Sequence, residues 1–251
     1  MESRVLVCDL PVNDLTLSAM TEACLGIWET KGRCVVVTPN AVMLARAVRE
    51  PSLSALLAEA DLAAADGDGL LLAARLTGVP LTCGKVAGVE LGKAMLREAA
   101  RQGLGVFLYG GREGVAEAAA RRLTRELPAL RIVGTCHGYG DGEEAARRIA
   151  QSGASLVLVC LGFPKQEQWM ATYGRRLCGI FMGLGGSLDV YAGVRKRAPY
   201  LLRVLRLEWL WRALREPRRW SDVGVLLRFF AMDIWREQRV RRISRTQKKH
   251  L

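Results

Sequence analysis

The chain has 251 residues, half of them hydrophobic and a quarter charged, which is enough for one or two globular domains with a sizeable core. Seven cysteines, none spaced as C-x-x-C and several within apolar runs, argue against a disulfide framework or a zinc site, and two histidines exclude a His-rich metal site. The net charge of +12 lies almost entirely in residues 196–251, where 16 Lys and Arg face 5 Asp and Glu, a net of +11. Such a basic segment favours phosphate groups, whether of nucleic acid, anionic lipid or a phosphorylated substrate.

The N-terminal segment MESRVLVCDLPVND lacks a basic start followed by a long apolar stretch, so we predict no signal peptide. No uninterrupted apolar run reaches about 18 residues, so no membrane-spanning helix is expected. We therefore expect the main body to be cytoplasmic.

Apolar β-type runs alternate with helical patterns, for example at 114–127 and 143–153. Strands that are apolar throughout and alternate with helices predict an α/β fold, with a mostly parallel sheet covered by helices on both faces. The predicted strands are RVLVC (4–8), CVVVT (34–38), LAAA (62–65), GVFLYG (105–110), RIVGT (131–135), SLVLVCLG (155–162) and CGIFMGLG (178–185).

The pattern changes after residue 195, which predicts an α/β domain over 1–195 and a basic helical appendage over 196–251. The appendage is typical of helices with aromatic and aliphatic residues on one side and arginine on the other. It can lie on a membrane surface, or it can pack its apolar stripe on the body as a helical cap. Its aromatic residues include Trp209, Trp211, Trp220, Phe229, Phe230 and Trp235.

Polar or glycine-rich clusters follow five of the predicted strands. Because the ends of parallel strands share one edge of the sheet, these clusters would form one crevice. Each is also consistent with an ordinary turn, and Thr38 or Asn40 can simply cap the next helix. The clusters are Thr38-Pro39-Asn40, Asp66-Gly67-Asp68, Gly110-Gly111, Gly162 to Glu167, and Gly183 to Asp189.

The glycines of this crevice allow close backbone approach, and the helices that follow direct N–H groups into it, which suits a diphosphate. GLGGSL (183–188) only weakly matches the G-x-G-x-x-G fingerprint, because Leu188 replaces the third glycine and the segment comes late in the chain. A nicotinamide-dependent oxidoreductase is therefore disfavoured.

Asp66 and Asp68 match the D-x-D with which many sugar transferases hold a metal and a nucleotide diphosphate, but two residues are a weak signal. Asp68 can instead cap the helix that follows. Asp66, at the strand end itself, is better placed to act as a general base on a hydroxyl group.

Taken in order, these clusters resemble the WecG/TagA/CpsF family of bacterial glycosyltransferases, over about residues 10–219. No single segment would suffice, but eight occur in sequence order. They are TPNAVMLARA (38–47), ADGDGLLLAARLTGVPL (65–81), VAGVEL (86–91), FLYGGREGVAEAAA (107–120), GYGDGEE (138–144), LGFPKQEQWM (161–170), GLGGSLDVYAGVRKRAP (183–199) and LEWLWRALREPRR (207–219).

The resemblance implies a Rossmann-like sheet with a C-terminal appendage that closes the site at the membrane. It implies transfer of a sugar from a UDP-sugar to a polyprenyl-diphosphate-linked sugar, with inversion and without a metal or other cofactor. The best-known members use UDP-N-acetylmannosamine and undecaprenyl-diphosphate-N-acetylglucosamine, for the linkage unit of wall teichoic acid. Peripheral attachment to the inner face of the membrane and a homo-oligomer are also implied.

Carried over residue by residue, the resemblance makes Asp66 the proposed base and adds Thr38, Asn40 and Gln166 to the catalytic set. Gln166 can alternatively be a helix-start residue on a surface turn. The sequence departs from the family at Lys85, where arginine is expected, at Glu90 and at Asp68. We predict substrate binding by Lys85, Gly110, Gly111, Gly185, Gly186, Asp189, Arg212, Arg218 and Arg219.

Three alternatives stay open from the sequence. The same fold can use another UDP-sugar donor for capsule or exopolysaccharide. The chain can be a non-catalytic membrane scaffold, or a nucleic-acid-binding protein. Nucleic acid is disfavoured, because the body is almost neutral and carries no recognisable nucleic-acid motif.

Overall fold

The computed structural model describes residues 4–195 and 220–235 of the chain. The strands are β1 (Arg4–Val7), β2 (Leu10–Asn13), β3 (Arg33–Val37), β4 (Leu62–Ala63), β5 (Gly105–Gly110), β6 (Arg131–Cys136), β7 (Leu156–Cys160) and β8 (Gly179–Gly183). The helices are α1 (Leu17–Lys31), α2 (Ala41–Ala47), α3 (Pro51–Ala58), α4 (Asp68–Leu76), α5 (Gly88–Gln102), α6 (Val115–Glu126), α7 (Gly142–Ser152), α8 (Lys165–Thr172), α9 (Ser187–Tyr191) and α10 (Trp220–Arg228).

Strands β3 to β8 form one sheet in the order β4-β3-β8-β7-β5-β6, and every neighbouring pair is parallel. Helices connect these strands, as parallel pairing requires. The predicted α/β fold with a parallel sheet is confirmed, and so are the helices predicted at 114–127 and 143–153, which are α6 and α7.

The predicted strand at 4–8 forms, but it lies outside the parallel sheet. It pairs antiparallel with β2, which sequence analysis did not predict, in a separate hairpin. The turn between them places Cys8 and Asp9 at φ values of 48° and 63°, in the left-handed region. The hairpin meets the large sheet at its edge, where Asn13 bridges to Ala64 and accepts a hydrogen bond from the Ala63 N–H through Oδ1.

Two apolar cores lie on opposite faces of the sheet. The alternation along β3 is the clearest case, because Val35 and Val37 enter one core while Cys34 and Val36 enter the other. A strand buried on both faces has no polar alternation, which is why these strands were recognisable as continuous apolar runs.

Local signals define several helix ends. The Thr16 Oγ1 accepts a hydrogen bond from the Ala19 N–H and caps α1. Gly32 ends α1 and Gly103 ends α5, both in the left-handed region that glycine adopts without strain. Each of these glycines returns the chain directly towards a buried strand.

The described part of the basic appendage packs on the body. Helix α10 continues into a π-helical turn at Phe229–Asp233, and Phe229 and Ile234 are buried in the same core as Val35. Two ion pairs flank this contact. Arg46 meets Asp222 at 3.1 Å and Arg49 meets Asp233 at 2.6 Å. Residues 220–235 therefore pack one apolar side on the body, as the helical-cap interpretation expects.

No helix within residues 4–195 and 220–235 is long and apolar enough to cross a membrane.

Replacement of Phe229 tests how the appendage is held. Phe229→Ala removes a fully buried ring, so we expect the free energy of unfolding to fall by about 3–5 kcal/mol in urea titrations followed by circular dichroism. Leu227→Ala, two residues away but exposed, is the matched control and should change it by less than about 0.5 kcal/mol. Equal effects of the two variants would contradict the docking described above.

Candidate active site

The polar clusters predicted from the sequence lie at the carboxyl edge of the parallel sheet. Strand order decides which of them are neighbours. The segments after β4, β3 and β8 are adjacent, because these strands are adjacent and lie about 4.8 Å apart. Asp66, the Thr38-Pro39-Asn40 turn and the glycine segment 183–189 therefore come together, and the clusters after β7 and β5 lie further along the edge.

Thr38 is buried, and its hydroxyl is already engaged. The Thr38 Oγ1 donates to the Gly183 carbonyl at 2.8 Å, which joins the end of β3 to the end of β8. Gly88, the first residue of α5, also lies against it, since a Cβ at position 88 would be 3.1 Å from the Thr38 Oγ1. The amino end of α5 thus faces the same corner of the site.

Asn40 is the cap of α2. Its Oδ1 accepts hydrogen bonds from the N–H groups of Val42 and Met43 at 3.0 and 3.2 Å. The capping interpretation is therefore confirmed for Asn40 but not for Thr38. The Asn40 Nδ2 donates to no other group in the part of the chain that the structure describes, which leaves an amide donor for a ligand.

Asp66 sits beside this turn. Its N–H donates to the Pro39 carbonyl at 2.9 Å, and its side chain is half-buried. The Val86 N–H donates to the Ala65 carbonyl at 2.9 Å and draws the segment before α5 onto the same strand end. Asp66 thus lies between two segments bound to this strand end, the turn after β3 and the segment before α5.

Lys85 and Asp68 form an ion pair, with Nζ and Oδ2 2.6 Å apart. Asp68 is the first residue of α4 and not its cap, because Gly67 occupies the cap position at a φ of 89°. A carboxylate in the first turn also interacts favourably with the helix dipole. The lysine that replaces the expected arginine therefore holds a charge that Asp68 partly neutralises.

The loop that carries Lys85 is anchored by Asp14. The Asp14 carboxylate accepts hydrogen bonds from the N–H and hydroxyl groups of Thr82 and from the N–H of Cys83, at 2.7 to 2.8 Å. Partial burial raises the pKa of Asp14, but the hydrogen bonds from Thr82 and Cys83 outweigh it and leave the pKa below its ordinary value of 3.8.

Gln166 is buried and does not lie on a surface turn, so that alternative is wrong. Its Oε1 accepts a hydrogen bond from the Gly185 N–H at 2.8 Å, and its Nε2 donates to the Glu167 Oε1 at 2.8 Å. Glu167 is only 2% exposed, and its Oε2 accepts no hydrogen bond from the described residues. Burial raises the pKa of Glu167, although the bond from Gln166 acts in the opposite direction.

The segment after β8 is held from several sides. The Ser187 Oγ donates to the Leu184 carbonyl at 2.7 Å, in addition to the contacts of Gly183 and Gly185. Asp189 pairs with Arg195 at 3.5 Å, and a Cβ on Gly186 would lie 3.3 Å from the Arg195 Nη1. Because Arg195 contacts both Asp189 and Gly186, its guanidinium group lies next to this loop. The helix that follows, α9, has five residues, and the Gly185 N–H already donates to the Gln166 Oε1.

Gly110 and Gly111 pack tightly against the neighbouring strand end. A Cβ on Gly110, at a φ of 131°, would clash with the Cys160 carbonyl. The Gly111 N–H donates to that carbonyl at 3.2 Å, and the Gly111 carbonyl accepts from the Gly138 N–H at 2.9 Å. These two glycines allow β5, β7 and the segment after β6 to meet at one point.

The predicted substrate-binding residues Arg212, Arg218 and Arg219 lie outside the described residues. Within the described residues, no group of three or more His, Cys, Asp and Glu side chains is arranged to hold a metal ion.

Sequence analysis assigned no role to Gly88, Glu167 or Arg195, which the structure brings to the site. Gly88 and Glu167 fall within the quoted segments VAGVEL and LGFPKQEQWM, so the resemblance marked their positions. Arg195 also falls within a quoted segment, GLGGSLDVYAGVRKRAP, but no local pattern links it to Gly186.

Comparison with known proteins gives a consistent result. A model of the family described as "Glycosyl transferase WecG/TagA/CpsF family" matches residues 5–244. A protein of Bacillus spizizenii named N-acetylglucosaminyldiphosphoundecaprenol N-acetyl-beta-D-mannosaminyltransferase is 37% identical over 188 residues, which cover 74% of this chain and 72% of the relative. A Staphylococcus aureus protein of the same name is 35% identical over 194 residues, covering 76% of this chain and 74% of the relative.

The Asp14 anchor predicts a specific pH dependence. A carboxyl whose pKa is lowered on folding stabilises the protein above its unfolded pKa, here 3.8, and this contribution disappears as the pH falls through the lower folded value. We expect the difference in free energy of unfolding between the protein and its Asp14→Asn variant to shrink below about pH 4 in denaturant titrations. A difference that stays constant down to about pH 2 would contradict the anchor.

Proposed function

Since the chain belongs to the WecG/TagA/CpsF family of glycosyltransferases, we propose that it transfers N-acetylmannosamine from a UDP-sugar to undecaprenyl-diphosphate-linked N-acetylglucosamine. The observation that carries the proposal is the strand order. It brings a carboxylate, an amide donor and a glycine loop together at three adjacent strand ends, in a chain similar to proteins named for this activity.

Asp66 is the general base of the proposed reaction. Its carboxylate takes the proton from a hydroxyl group of the acceptor sugar as the oxygen of that group attacks the anomeric carbon of the donor. The bond between the anomeric carbon and the diphosphate oxygen breaks as the new bond forms on the opposite face. UDP leaves with the bonding electron pair, and the anomeric configuration inverts.

The remaining residues hold the substrates in position. The Asn40 Nδ2 donates a hydrogen bond to an oxygen atom of the UDP-sugar, because the Asn40 Oδ1 already accepts the hydrogen bonds that cap α2. The departing diphosphate needs positive charge, and Lys85 and Arg195 are cations beside the site. Arg212, Arg218 and Arg219 are proposed to add to this charge when the appendage covers the site. On this proposal the charge comes from the protein, and no metal is required.

The proposal is tested by UDP release from UDP-N-acetylmannosamine, with and without a lipid-diphosphate-N-acetylglucosamine acceptor, in the presence of EDTA. We expect acceptor-dependent release that survives EDTA and falls by about a hundredfold or more in Asp66→Asn, because the base is lost. Asp9→Asn is the matched control, since Asp9 is exposed and asparagine tolerates its left-handed backbone. It should keep full activity.

Other outcomes separate the alternatives. Activity that EDTA abolishes and a divalent ion restores would favour a metal role for Asp66 and Asp68. Release from a different UDP-sugar alone would favour another donor, as in capsule or exopolysaccharide synthesis. A chain that binds no UDP-sugar would favour a non-catalytic scaffold.

The appendage is proposed to place this chemistry on an anionic membrane surface, where the lipid acceptor lies. Phe229 and Ile234 face the body, and Leu227, Met232 and Trp235 are 68%, 57% and 59% exposed. Exposed apolar side chains on a strongly basic segment favour the boundary between lipid headgroups and acyl chains.

Vesicle binding tests the membrane surface. Replacing Leu227, Met232 and Trp235 together by serine should weaken co-sedimentation with phosphatidylglycerol vesicles by about tenfold or more, because their burial in the interface is lost. Leu6→Ser, which removes an exposed apolar side chain on the hairpin, is the control and should bind normally. Salt-dependent binding to DNA without vesicle binding would instead favour a nucleic-acid partner.

A further inference from the structure

The amide of Gln166 has a single possible orientation. The Gly185 N–H is a donor, so it must face the Gln166 Oε1, and this leaves Nε2 to face the Glu167 Oε1. Both contacts are 2.8 Å long, and both side chains are 2% exposed. The three groups form a continuous chain of hydrogen bonds from Glu167 to the backbone of the glycine loop.

The same loop is held from its other side by Thr38. The Thr38 hydroxyl fixes the Gly183 carbonyl at 2.8 Å, and Gln166 fixes the Gly185 N–H two residues later. A Cβ at Gly183 would lie 3.0 Å from the Gln166 Nε2, so the amide also packs directly on the loop. The loop that seats Arg195 against Gly186 is therefore shaped by two side chains of the catalytic set.

Glu167 is an unfavourable residue for stability alone. Its carboxyl is buried, one of its oxygens accepts no hydrogen bond from the described residues, and the burial raises its pKa. Ionisable groups kept in such surroundings beside a cleft are often functional. The side chain of another described residue that donates a hydrogen bond to its carboxylate is that of Gln166, which points to a role exerted through that neighbour.

We propose that Glu167 is a positioning residue that orients the Gln166 amide, so that Gln166 holds the Gly185 N–H and keeps the glycine loop in the shape needed to bind the donor diphosphate. The inference rests on the proposed function for its catalytic consequence. Its structural part, the fixing of Gly185, stands independently of which substrate is used.

Four variants test it: Glu167→Leu, Glu167→Gln, Gln166→Leu and the double variant Glu167→Leu/Gln166→Leu. Glu167→Leu removes the acceptor, and we expect kcat/KM for the UDP-sugar to fall by about tenfold, mainly through KM. Glu167→Gln retains a carbonyl oxygen for the Gln166 Nε2 and should keep activity within about threefold of the original.

The double variant separates positioning from a general loss of stability. If Glu167 acts through Gln166, the kcat/KM of the double variant should be no lower than that of Gln166→Leu alone. Ile149→Ala, at a buried position on α7 away from these hydrogen bonds, is the control. Its effect on the free energy of unfolding should add to that of Gln166→Leu. Additive effects of Glu167→Leu and Gln166→Leu would overturn the proposal.

Hydrogen exchange gives a readout that does not depend on activity. Glu167→Leu and Gln166→Leu should each speed exchange of the Gly185 N–H by about tenfold, and Glu167→Gln should not. Unchanged exchange in Glu167→Leu would overturn the proposal even if activity fell. The expected exchange pattern in a chain that transfers no sugar would uphold the positioning role and overturn the proposed function.

Discussion

The pairing of β3 between β4 and β8 is the constraint on which the site depends. Val36 pairs with Leu62 on one side and Met182 on the other, so three chain segments leave the sheet at one level. Thr38, two residues beyond this register, then reaches the Gly183 carbonyl. A shift of one residue in β3 would exchange its two buried faces and withdraw the hydroxyl from β8.

The polar groups at this edge divide into those that hydrogen-bond other described residues and those that have no partner there. The polar groups of Thr38 and Gln166 bind the glycine loop, and both side chains are buried. Asn40 belongs to both groups, because its oxygen caps α2 while its amide nitrogen has no acceptor in the described residues. The hydrogen bonds that satisfy the Thr38 hydroxyl and the Gln166 amide oxygen also fix the glycine loop.

The strands could be predicted because each is a continuous apolar run, and their common edge follows from parallel pairing alone. Their spatial order could not, since β3 and β8 are about 140 residues apart in the chain and nothing local records that they pair. The hairpin strand β2 was missed because it is short and contains Pro11. Gln166 and Glu167 are polar residues in the first turn of a helix, and such residues are usually exposed. Their burial follows from the neighbouring end of β8.

Helix α2 links the site to the appendage. Asn40 caps its first turn at the edge of the site, Arg46 in its last turn pairs with Asp222, and Arg49 just beyond pairs with Asp233. The buried Phe229 completes this contact within the core that also contains Val35 and Val37 of β3. Because α2 has only seven residues, the ion pair with the appendage and the cap at Asn40 lie at opposite ends of one short helix. The segment that exposes Leu227 and Trp235 thus packs on the same short helix whose amino end lies at the candidate site.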